Sequence, residues 1–128
     1  MNKFIQILIV CIIFSISGCT EGKTKMDYKI SDISDITYKI TDKEVELSYT
    51  PLMESLYYSP GVDLLEDNGE IVIHIRRCNI NSKCEVDAQA EQGSSNKVKF
   101  ELKQNYLASQ IYLNEKNNTN SLAALARN

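Results

Sequence analysis

The residues able to do chemistry in this chain are few. There is one histidine, His74, and there are cysteines at positions 11, 19, 78 and 84. A general base needs a substrate or nucleophile beside it and usually a carboxylate to orient it. No local spacing supplies that partner to His74, and GxSxG, HExxH and phosphate-loop patterns are absent. His74, Cys78 and Cys84 offer three zinc donors, but without CxxC spacing or a fourth ligand they do not make a zinc pattern. Glu66, Asp67 and Glu70 flank an Asn-Gly turn and match no calcium-loop spacing. The expectation is a chain with no catalytic residues, no metal and no cofactor.

Other residues suit recognition instead. Arg76 and Arg77 can grip a carboxylate or phosphate, or be spent in ion pairs. Adjacent strand residues point to opposite faces, so only one is expected to be fully exposed. The same reasoning splits Tyr57 and Tyr58, one inward and one outward, and exposed tyrosine is frequent in binding hot spots. Tyr57, Tyr58, His74 and Arg76 are therefore the candidate partner-binding residues.

Localisation is legible at the front. Lys3 is a short positive region, and Phe4 to Ile16 is apolar but for Gln6 and Ser15. That run is shorter than the roughly 20 residues needed to span a bilayer, and it reads as a signal segment. Ile16-Ser17-Gly18-Cys19 follows: an aliphatic residue, two small residues, then cysteine. This resembles the lipobox of bacterial lipoproteins. The resemblance covers residues 1–19 only. It implies a diacylglyceryl group on the Cys19 sulfur, cleavage before Cys19, and a lipid-anchored protein in the bacterial envelope. Thr20, rather than aspartate, after the cysteine points to the outer membrane, facing the periplasm. Cys11 departs with the signal. Export puts Cys78 and Cys84 where disulfides persist, and they are expected to pair.

Removing the signal takes one lysine from a chain of formal charge −3, leaving −4. An acidic domain is a poor nucleic-acid ligand, because phosphate neutralisation dominates that affinity. The expected partners are the membrane, through the lipid, and a protein.

The elements that must position these residues have a period of two. Ile36, Tyr38 and Ile40 form one alternating stripe, and Val45, Leu47 and Tyr49 a second. Ile71, Ile73 and Ile75, then Val86, Ala88 and Ala90, then Val98, Phe100 and Leu102 continue the pattern, and Ile111 with Leu113 suggests another strand. Asn68-Gly69 marks a hairpin. About seven short strands predict an all-β domain: a small antiparallel β-sandwich, immunoglobulin-like by analogy only, or else a small β-barrel. The division is residues 1–18 signal, 19–27 lipidated tether, 28–116 β domain and 117–128 a polar tail with a short helix. Residues 50–58 fit either a helical turn begun by Pro51 or a strand. The function expected is a non-catalytic interaction module, such as an inhibitor, an immunity protein or an accessory of an envelope complex. A small-ligand carrier with a barrel cavity is the alternative.

Overall fold

The structure is a computed structural model that describes residues 25–126. The signal segment, the lipobox and Cys19 lie outside the described residues.

The alternating stripes do form strands, and the domain is all-β. In chain order they are β1 (Ile33–Thr41), β2 (Glu44–Pro51), β3 (Tyr57–Tyr58), β4 (Gly61–Asp67), β5 (Glu70–Ile75), β6 (Cys78–Asn79), β7 (Ala88–Glu91), β8 (Asn96–Glu101) and β9 (Ile111–Leu113). Seven of them make one curled sheet in the order β1-β2-β8-β7-β4-β5-β9, about half a barrel, and β3 and β6 make a separate two-stranded ribbon. Every pairing is antiparallel except β5 with β9, which is parallel, so the large sheet is mixed.

Register lines up the apolar stripes. Val45 lies opposite Phe100 and Leu47 opposite Val98, while Leu64 meets Ile73 and Val62 meets Ile75. Val45, Leu47, Tyr49, Ile73, Ile75, Val98 and Leu113 are wholly buried. The alternate residues of β8, Lys97, Lys99 and Glu101, face water, as a two-sided strand requires. The Asn68-Gly69 turn holds positive φ at both residues, 48° and 77°, as a hairpin turn of this kind demands. Edge strand β1 carries a register shift between Ser34 and Thr37 with Asp35 at φ 53°, a bulge that spoils the edge for further pairing.

β4 is the strand that the stripes do not announce, because acids at 63, 66 and 67 interrupt its apolar residues. Pro60-Gly61, a break in the sequence, is where it begins. Gly61 is required there, since a Cβ would stand 2.0 Å from the Ala88 carbonyl oxygen of β7.

Two boundaries differ from the sequence reading. Met26 and Asp27, assigned to the tether, are part of the domain. The Arg77 amide donates to the Met26 carbonyl, the Tyr28 amide donates to the Ile75 carbonyl, and Asp27 bridges to Arg76. The tail beyond residue 116 is also docked. Asn117 Oδ1 accepts from the Thr119 and Asn120 amides, and a short helix α1 (Leu122–Leu125), capped by Ser121, buries Leu122 completely. The asparagines serve as turn formers rather than a linker. Of residues 50–58, Thr50 and Pro51 end β2, Tyr57 and Tyr58 form β3, and the residues between are neither strand nor helix.

Candidate binding face

β5 and its continuation into β6 carry His74, Arg76, Arg77 and Cys78 on one short run. What surrounds them comes from far away in sequence. Arg76 is buried, and its Nη1 donates to Asp63 Oδ2 on β4 at 2.7 Å while Nε donates to the Met26 carbonyl at 3.3 Å. Asp27 Oδ1 lies 3.7 Å from the same Nε. Asp63 is further held by the Asp87 amide at 3.0 Å and Lys25 Nζ at 3.3 Å. Burial pushes the Asp63 carboxyl up, but the Asp87 amide, Lys25 and Arg76 outweigh it and hold the group below the usual carboxylate range.

His74 is half-buried, and its Nδ1 is 2.7 Å from Asp27 Oδ2. In the neutral ring that contact makes Nδ1–H the donor and leaves Nε2 as an acceptor, a nitrogen with no partner among the described residues. Lys25, Asp27, Asp63, Leu64, Leu65, His74, Arg76 and Asp87 together line an open recess of about 390 Å³. The orienting carboxylate that local spacing lacked is thus supplied by Asp27, 47 residues away.

The ribbon end is built differently. Arg77 makes a forked pair with Glu54, Nε to Oε1 at 2.9 Å and Nη2 to Oε2 at 2.6 Å. Its guanidinium lies 3.7 Å from the centre of the Tyr57 ring. The fork holds the Glu54 carboxyl below its ordinary value. Tyr28, buried beside this group with no hydrogen bond to its hydroxyl, is pushed up to about 12, first by burial and then by the negative charge of Glu54. Cys78 and Cys84 are bonded, with Cα atoms 6.1 Å apart, within the ordinary disulfide range.

The four candidate recognition residues therefore split. His74 sits in the recess, with Arg76 beneath it as a buried strut rather than an exposed hand. Tyr57 lies under Arg77, and Tyr58 is the more exposed of the two tyrosines. Sequence reasoning missed Lys25, Asp27, Asp63 and Glu54, because no local spacing links them to the residues they bind. Among the described residues no group of three or more His, Cys, Asp or Glu side chains is placed to hold a metal ion.

Comparison with protein-family models, with curated proteins and with solved structures found no match for this chain.

Proposed function

We propose that this chain is a lipid-anchored protein of the bacterial envelope whose β domain recognises a protein partner without catalysing a reaction. The anchor rests on the lipobox at Ile16–Cys19. Recognition rests on one geometric observation: His74 is fixed by Asp27 on a rigid strand, with its free ring nitrogen and the exposed Leu65 around a recess braced by Arg76 and Asp63. A preorganised polar group beside exposed apolar surface loses little entropy on binding. The ring nitrogen accepts a hydrogen bond donated by the partner.

Filling of the curled sheet weighs against a ligand carrier. Tyr49, Leu47, Ile73, Ile75, Ile111 and Leu113 pack its interior, and the recess described above opens at the surface. The His74–Asp27 contact also supports a second reading, a general base that draws a proton from a bound nucleophile.

Three measurements test these readings. Radiolabelled palmitate should follow the wild-type protein and be lost in Cys19→Ser; label retained in the variant overturns the anchor. Crosslinking in intact cells should capture a stoichiometric partner, and His74→Ala should weaken that capture about tenfold. Capture unchanged by His74→Ala removes the recess from recognition. Turnover of a substrate that fails in His74→Gln would instead establish the second reading.

A further inference from the structure

Eight large hydrophobic side chains are exposed among the described residues, and six of them gather at one end: Met26, Leu52, Met53, Leu56, Tyr58 and Ile80. Met53 is the extreme case, 95% exposed. The pairing explains the grouping. Tyr58 lies opposite Cys78 in the ribbon, and the Ile80 amide donates to the Leu56 carbonyl at 3.0 Å, so Leu56, Tyr58 and Ile80 share one face. The segment carrying Leu52 and Met53 is tied to the ribbon through the Glu54–Arg77 fork. The disulfide and the fork fix the segments that carry these side chains.

The same end receives the chain from the anchor. Asp27 pairs antiparallel with Arg76, and the Arg77 amide bonds Met26, which sets Lys25 beside Cys78. Lys25 and Cys78 indeed line one groove with Tyr57, Asn79 and Lys83. Traced backward, the chain at Lys25 is heading along β6 toward Ile80, which lies only about 7 Å further on. Cys19 is six residues from Lys25, a span of at most about 20 Å at full extension. An acylated Cys19 therefore keeps this end within about 20 Å of the lipid surface.

We propose that the ribbon end is a second membrane contact: Leu52, Met53, Leu56 and Ile80 insert among the acyl chains at the bilayer surface, with Lys83 at headgroup level. The proposal rests on lipidation of Cys19. Insertion would fix the orientation of the domain and hold the His74 recess at a set height above the membrane, where a tether alone would let it tumble. The two acyl chains of a diacylglyceryl group already give stable attachment, and a shallow apolar wedge adds a second point of contact that sets orientation.

The absence of tryptophan makes a direct test possible. Full-length lipidated protein carrying Met53→Trp, Ile80→Trp or Lys43→Trp is reconstituted in phosphatidylethanolamine–phosphatidylglycerol vesicles with brominated acyl chains. Lys43 is exposed in the β1–β2 turn, at the far end of β2 from Leu52, and serves as the control. Trp at 53 and 80 should shift to the blue and be quenched roughly threefold more than Trp at 43, as shallow insertion requires. Co-flotation with equal quenching at all three positions overturns the insertion and leaves the anchor standing. Failure of the protein to float overturns the anchor and the insertion together. A concentration-dependent blue shift at 53 in detergent, without vesicles, assigns the face to a second copy of the chain and also overturns the proposal. Met53 touches little of the fold, so its replacement leaves the domain intact.

Discussion

In the large sheet Leu47, Ile73 and Leu113 are wholly out of water, whereas Leu56 and Ile80, which flank the ribbon strands, are each more than half exposed. The sheet has six strand-to-strand pairings to share its burial; the ribbon has one, two residues long on each side. A pair of strands that short is not stable by itself. What holds it is a covalent bond, a forked ion pair and a cation over a ring. The lesson is that burial can be withheld from a segment if other forces fix it, and a segment so fixed is free to present apolar groups outward.

This contrast can be broken from either side. The largest effect is expected in the sheet: Leu47→Ala should cost about 2–5 kcal/mol, seen as a fall in the denaturant midpoint and lost protection of amides throughout β2 and β8. Next comes the junction between the two regions. Arg76→Ala leaves Asp63 and Asp27 without their buried partner and should cost about 3 kcal/mol at neutral pH. Adding Asp63→Asn should recover part of it, which a double-mutant cycle would read.

Removing the ribbon's staple should cost somewhat less. Cys78→Ser with Cys84→Ser opens a short loop worth about 2–2.5 kcal/mol in the chain-entropy model. Hydrogen exchange should locate the loss at β3 and β6, with β2 and β8 still protected. Global loss of protection would show that the ribbon is integral to the sheet and that the comparison is misdrawn.

Titration should give the smallest effects, with opposite signs at the two ends of the pH scale. Asp63 is held below the ordinary carboxylate range, so its contribution is full above about pH 4 and is lost as pH falls through its lower folded value. Tyr28 is raised to about 12, so its contribution is full below about pH 10 and is lost as pH climbs toward 12. Thermal melts across both ranges, with Asp63→Asn and Tyr28→Phe for comparison, should flatten the acid and alkaline limbs respectively.

The strands were readable where one face is apolar and the other polar, as in β2 and β8. β4 was not, because its acids serve Arg76 and the turn rather than a solvent stripe. The Cys78–Cys84 bond followed from spacing and expected compartment. The candidate site was half legible. His74 and Arg76 stood out by residue type, but Asp27 and Asp63, which orient one and bury the other, are distant in sequence. Pairs of this kind are created by topology, and no window of adjacent residues contains them.

The meeting of both ends of the described chain on β5 has a further consequence. Residues 26–28 run along Ile75–Arg77 at the end of this strand, β9 pairs in parallel with Ile71–Ile73, and Asn114 joins them by donating to the Tyr28 carbonyl. Synthesis from the N-terminus leaves β5 without its parallel neighbour until Ile111–Leu113 has emerged. Closure that is so late and long-range is slow by nature.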